Sequence, residues 1–202
     1  MSKKIKVLHS GEGYNLAAKY YDEKEKYLNS FEQNKLLPML GDVAAKKILD
    51  VGAGTGRLSV YLENRGAEVT ALDASEKMLE MLKRKNKNIK TVVGEAENLP
   101  FGDNFFDVVA AAFLIVHLKD PAKFFDEAYR VLKDNGIFVV TNINQKNPPL
   151  VKTGKEEIII ESFYHRPEKI LEILESLAFG IEKEFFVKEG ENWINQIIVA
   201  KK

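Results

Sequence analysis

Apolar, β-branched runs alternate with segments of helical period along most of the chain, the arrangement that builds a parallel sheet with helices on its faces. Tyr14, Ala17, Ala18, Tyr21 and Leu28 recur at helical spacing and predict a helix or helix pair near the start. Strands are predicted at 47–51, 67–72, 89–93, 106–111 and 137–143. Leu58, Tyr61 and Leu62 share one face of a helix after the first strand, and Met78, Leu79 and Leu82 one after the second. Ser75 is placed to cap that second helix. Asp120 and Pro121 open another, an oxygen to cap and a proline where no amide donor is missed. Phe124, Phe125, Ala128 and Leu132 form its buried face, and Asn135-Gly136 stops it. Pro167 opens a last helix with Ile170, Leu171, Leu174 and Leu177 inward, followed by a hairpin of 181–187 with 194–200.

One stretch lacks a period. Residues 144–156 hold Pro148-Pro149, Gly154 and several lysines. A loop of that length in a compact domain is usually functional or disordered, and a mobile flap is predicted within 144–166. The 202 residues fit a single domain, with 14–40 as a helical cover at its N-terminal end.

Composition narrows the chemistry. Thirty basic residues balance thirty acidic ones, too even a balance to hold nucleic acid by phosphate neutralisation alone. The absence of cysteine excludes disulfides, thiolate zinc sites and thiol nucleophiles. His9, His117 and His165 lie far apart without ligand spacing, so no metal site is expected. No apolar run suits a signal peptide or a membrane span, which makes the cytoplasm the expected location.

The candidate chemistry starts at Ile48-Leu49-Asp50-Val51-Gly52-Ala53-Gly54-Thr55-Gly56-Arg57-Leu58, where an apolar strand meets an amphipathic helix. Glycines at alternate positions let a ligand lie against the backbone, and the helix that follows offers free amides. A dinucleotide fingerprint needs glycines at the first, third and sixth places. Here the first, third and fifth are filled, and Arg57 takes the sixth. The Gly-Lys-Ser/Thr of a phosphate-binding loop is absent. Asp73 ends the second strand, where a carboxylate can accept both hydroxyls of a ribose, or alternatively cap the next helix. Glu95 and Glu97 follow the third strand, either beside the base of such a nucleoside or in a solvated acidic loop.

With these segments in order, the chain resembles the class I S-adenosylmethionine-dependent methyltransferases, in particular the small-molecule and ubiquinone/menaquinone-biosynthesis group. Leu49-Asp50-Val51-Gly52-Ala53-Gly54-Thr55-Gly56, Ala71-Leu72-Asp73-Ala74-Ser75, Gly94-Glu95-Ala96-Glu97-Asn98-Leu99-Pro100-Phe101, Phe106-Asp107-Val108-Val109 and Ala128-Tyr129-Arg130-Val131-Leu132 carry the likeness over residues 14–143. The resemblance implies a doubly wound, Rossmann-like, seven-stranded sheet, mostly parallel with an antiparallel last strand and helices on both faces. It implies S-adenosylmethionine as cofactor, with Gly52, Ala53 and Gly54 against it and Asp50 beneath. By the same likeness Asp73 takes the ribose hydroxyls, and Ala74 and Met78 line the adenine. Glu95 and Ala96 read the adenine edge, and Phe113 sits near the methionine part. The family commonly has aspartate at the Glu95 position and a paired histidine where Val116 precedes a lone His117.

A methyl sulfonium is already activated, so the protein mainly has to orient an acceptor and exclude water. The chain leaves little room for a substrate domain, so the expected acceptor is a small molecule beneath the first helix and the flap. Tyr21, His117, Tyr164 and His165 are the candidates to meet it. The competing readings are a module that binds the cofactor without turnover, a nicotinamide-dependent oxidoreductase, and a methyltransferase acting on nucleic acid or protein.

Overall fold

A computed structural model describes residues 5–154 and 156–202, apart from the side chains of Lys24, Glu25 and Tyr27. Residues 1–4 of the expected domain and Lys155 of the expected flap lie outside the described residues.

The main sheet has seven strands: β2 (Lys47–Val51), β3 (Glu68–Asp73), β4 (Lys90–Val93), β5 (Phe106–Ala111), β6 (Leu132–Ile143), β9 (Gly180–Glu189) and β10 (Asn192–Lys201). Their order is β4-β3-β2-β5-β6-β10-β9. Pairings from β4 across to β6 are parallel. Only β10 runs against both of its neighbours, as the antiparallel last strand.

Strands buried on both faces need apolar residues at every position rather than at alternate ones. β5 shows why: Val109 and Ala111 face one core with Phe124, Phe125, Ala128, Ile170 and Leu174. Those residues come from α6 (Pro121–Val131) and α7 (Pro167–Ser176). Val108 and Ala110 face the other core, with Leu36, Leu58, Leu62, Leu79 and Leu82. These come from α3 (Leu36–Met39), α4 (Arg57–Glu63) and α5 (Glu76–Lys85). The caps fall where the sequence places them, with Ser75 Oγ accepting from the Met78 amide and Asp120 from the Ala122 amide. Asn135 takes the left-handed conformation expected of it (φ 63°), although α6 already stops at Val131 and Leu132 belongs to the irregular start of β6.

The flap region differs from its expectation. The described residues of 144–156 are not a structureless loop: β7 (Leu150–Thr153) and β8 (Glu156–Ile160) form an antiparallel pair, and β1 (Lys6–Leu8) adds in parallel to β8. Val151, Ile158 and Ile160 supply the apolar face of this small sheet, and Ala17 of α1 (Ser10–Tyr21) packs on it. A short 3-10 turn, Asp22–Lys24, and α2 (Glu25–Glu32) continue from α1 towards the main sheet. On its other side α1 grips the start of α5, where Asn15 Oδ1 accepts from Ser75 Oγ at 2.8 Å and from the Lys77 amide at 3.1 Å. No helix among the described residues is long and apolar enough to cross a membrane.

Candidate cofactor and acceptor site

In open α/β sheets ligands settle outside the carboxyl ends of the strands, where the strand order reverses. That point lies between β2 and β5, and a cleft of about 630 Å³ opens there. Its walls come from every neighbouring strand end: Gly52 and Gly54 after β2, Asp73 and Ala74 at β3, Gly94 to Ala96 after β4, and Ala112 to Leu114 after β5. Ser10, Gly11, Tyr14 and Tyr21 of α1 close it from above.

The glycine turn is shaped by sterics. Gly54 (φ 57°) and Gly56 (φ 87°) adopt left-handed backbone that side chains disfavour. A Cβ on Gly56 would stand 2.1 Å from Leu82 Cδ1, so glycine lets α4 approach α5 without displacing the buried Leu82 side chain. A Cβ on Gly54 would enter the cleft, 3.8 Å from Tyr21 Cε1. The Asp73 carboxylate fixes the turn by accepting the Gly54 amide and the Ser75 amide, each at 2.8 Å. Burial raises the Asp73 pKa above the ordinary carboxylate range, and Glu95 adds to that, while the two amides oppose both.

Beneath the turn Asp50 is buried and accepts from Ser59 Oγ at 2.6 Å. Burial pushes it up to about 6, against the Ser59 hydrogen bond and the positive charge of Arg57. Arg57 itself forms a forked pair with the buried Glu32 of α2 at 2.6 and 2.8 Å, and its guanidinium lies 5.6 Å from the Phe113 ring. Asp50, Ala53 and Phe113 line a smaller pocket that continues from the cleft past Gly52 and Gly54.

A second cavity, of about 640 Å³, adjoins the cleft under the small sheet. Leu28, Phe31, Val116, Ile143, Val151 and Ile160 make most of its wall apolar. Tyr14, Tyr21, Phe113 and His117 line both spaces. Phe113 holds a left-handed backbone (φ 61°), kept there by its amide bonding Thr141 Oγ1 at 2.8 Å. Strained backbone of this kind gathers at ligand sites. Burial, and next the charge of Asp73, pushes the Tyr21 hydroxyl up to about 12. Among the described residues no cluster of three acidic or imidazole side chains is set to hold a metal.

Of the residues singled out from the sequence, Gly52, Gly54, Asp73, Ala74, Met78, Glu95, Ala96, Phe113, Tyr21 and His117 meet around the cleft. Tyr164 and His165 stand apart from both spaces. Tyr164 is exposed beside Trp193, and His165 Nε2–H donates to the carbonyls of Ile115 and Leu118 at 3.0 and 2.9 Å. That pairing braces the turn Ile115–His117 and so serves the site from outside. Tyr14 was not among the candidates, because its place in a helical stripe reads as core packing; its spacing of seven residues from Tyr21 was the available signal.

This sheet order, with its cleft at the reversal, is a doubly wound, Rossmann-like fold. Residues 49–140 match the family model described as a methyltransferase domain. The chain is 40% identical over 115 residues to a demethylmenaquinone methyltransferase of Clavibacter sepedonicus, covering 55% of this chain and 47% of that one. It is 35% identical over 136 residues to the enzyme of the same name from Thermotoga maritima, covering 65% and 56%. The chain therefore spans about half the length of these curated relatives. The S-adenosylmethionine-dependent methyltransferase structure from Mesorhizobium loti superposes with a TM-score of 0.71 at 19% identity, over 85% of this chain and 98% of that one. Over residues 49–140 the chain is thus similar to methyltransferase domains, and its fold is that of solved S-adenosylmethionine-dependent methyltransferases.

Proposed function

We propose that this protein transfers a methyl group from S-adenosylmethionine to a small, largely apolar, ring-bearing acceptor. The observation that carries this reading is the pair of adjoining spaces, one polar-ended and shaped for a nucleoside, the other apolar, meeting at Tyr14, Tyr21, Phe113 and His117. The residues fit the cofactor. Bare glycine backbone at the turn, a carboxylate at Asp73 and apolar walls at Ala74, Met78 and Ala96 suit a nucleoside that has both a flat base and a hydroxylated ribose.

In this reading Asp73 accepts the ribose hydroxyls, Glu95 and the Ala96 backbone meet the base edge, and Asp50 lies under the amino-acid end. The cofactor, when bound, supplies a methyl group activated by positive sulfur. The chain's own part is to orient and to exclude water: α1 roofs the cleft, Phe113 divides the two spaces, and the small sheet closes the acceptor cavity. The single domain with α1–α3 and the small sheet as its cover belongs to the same proposal.

Demethylmenaquinone, named for the relatives' activity, is the first acceptor to try. Purified protein, S-adenosylmethionine and a short-chain reduced demethylmenaquinone should yield S-adenosylhomocysteine and a methylated ring, measured by mass spectrometry. Tight nucleoside binding without turnover on any ring acceptor would leave only a cofactor-holding module.

A further inference from the structure

We infer that Tyr14 and His117 form a proton relay to the methyl acceptor, Tyr14 touching the acceptor and His117 acting through it. The inference rests on the methyl-transfer reading and adds the acceptor's chemistry: a hydroxyl on an aromatic ring, whose proton must leave.

Three separate elements meet to make the relay. Tyr14 Oη, on α1, lies 2.9 Å from His117 Nε2, and His117 Nδ1 lies 2.9 Å from the backbone carbonyl of Glu161, just after β8. A carbonyl oxygen can only accept, so Nδ1 carries a proton. Burial lowers the proton affinity of His117, which keeps the ring neutral and leaves Nε2 with its lone pair. Tyr14 must then donate its hydroxyl proton to Nε2. Its oxygen lone pairs remain for a donor arriving from the shared wall of the two cavities.

The surroundings suit that task. Tyr21 packs edge-on against Tyr14 at 5.6 Å. Burial chiefly, with Tyr21 and Asp73 adding, raises the Tyr14 pKa well above its ordinary value, so Tyr14 stays a hydroxyl rather than a phenolate. The Glu161 carboxylate faces outward to His9 at 2.9 Å and does not compete for His117. The turn carrying His117 is braced by His165 and by the Phe163 amide, which donates to the Val116 carbonyl at 2.7 Å. The apolar wall and the poised acceptor oxygen together favour a ring hydroxyl.

The step balances. The acceptor's O–H proton passes to Tyr14 Oη as the Tyr14 proton passes to His117 Nε2. The acceptor's electron pair forms the bond to the methyl carbon, and the sulfur–methyl bond breaks with its pair left on sulfur. The positive charge so moves from sulfur to an imidazolium that donates to the Glu161 carbonyl and later releases its proton to water.

1-Naphthol tests the relay, because its ultraviolet spectrum reports its own ionisation without turnover. With protein saturated in S-adenosylhomocysteine, bound naphthol should ionise about one pH unit lower in the wild type than in Tyr14→Phe or His117→Gln. The Phe ring keeps the packing of Tyr14, so that variant isolates the hydroxyl. In methyl transfer, both variants should lose about a hundredfold in kcat near neutral pH. The deficit should shrink as pH rises towards the acceptor's own ionisation. Naphthol that does not bind, equal ionisation in all three proteins, or an equal loss at every pH would overturn the relay. Relay-dependent ionisation without any methyl transfer would uphold the relay and overturn the methyl-transfer reading.

Discussion

The Asp73 carboxylate accepts the Gly54 amide at 2.8 Å, tying the end of β3 to the turn that follows β2. The same side chain that is proposed to bind ribose therefore also sets the shape of the glycine turn. Asp73→Ala removes charged hydrogen bonds from both roles, each worth roughly 1.5–3 kcal/mol. Affinity for S-adenosylhomocysteine should fall by about a hundredfold or more in calorimetric titration. A folded variant that binds within about threefold of wild type would take Asp73 out of the cofactor contact.

Asp50 should make stability depend on pH. Its carboxyl ordinarily titrates near 3.8, and burial raises it to about 6 in the folded chain. Between these values the folded protein holds a proton that the unfolded chain has released, so stability falls as pH rises through this window. A shift of roughly two units, at about 1.4 kcal/mol each, sets the loss at about 3 kcal/mol. Asp50→Asn keeps an oxygen for Ser59 and cannot titrate. Urea unfolding at pH 4 and pH 7 should show the variant gaining on wild type by about 2–3 kcal/mol at the higher pH. Parallel stability curves would mean that Asp50 ionises as freely when folded as when unfolded.

The forked Arg57–Glu32 pair should hold α2 against the turn. Glu32 is 3% exposed, so removing it leaves a largely covered guanidinium without its directly paired carboxylate. Breaking a buried pair from one side costs about 3–5 kcal/mol, whereas replacing both partners by apolar groups costs far less. Glu32→Leu should lose about 3 kcal/mol in urea unfolding, and the Glu32→Leu/Arg57→Leu double variant should recover much of it. A loss below about 1 kcal/mol in the single variant would reduce the pair to a surface contact.

What could be read from the sequence follows from the range of the forces involved. β2, β3, β5 and β6 announce themselves because buried parallel strands are apolar at consecutive positions, and Ser75 and Asp120 act on amides two or three residues away. The small sheet does not, since its β1 is three residues long and pairs Lys6 with Ile158 far along the chain. Leu150-Val151 and Ile158 to Ile160 are apolar but too short, with Gly154 and charged residues between them, to outweigh a loop reading. The site divides the same way. Asp73 and the glycine turn lie on adjacent strands with recognisable spacing, whereas Tyr14 gains its meaning from His117, 103 positions later. His165 has the chemistry of a ligand-binding group, yet two backbone carbonyls occupy it.

Thr141 should control the acceptor cavity through Phe113. A phenylalanine in left-handed backbone costs roughly 1–3 kcal/mol and persists only where its surroundings hold it. The Thr141 hydroxyl does so by accepting the Phe113 amide, and it is itself buried on β6. Thr141→Val matches the shape but offers no acceptor, so the amide loses its partner at a cost of about 1–3 kcal/mol. Released backbone would relax towards ordinary angles and carry the Phe113 ring out of the wall shared by cleft and cavity. The acceptor's KM should therefore rise more than that of S-adenosylmethionine, alongside the loss in unfolding free energy. Thr141→Ser retains the hydroxyl and should stay close to wild type in both. Valine and serine variants that behave alike would show that Phe113 is held by packing, with the hydrogen bond incidental.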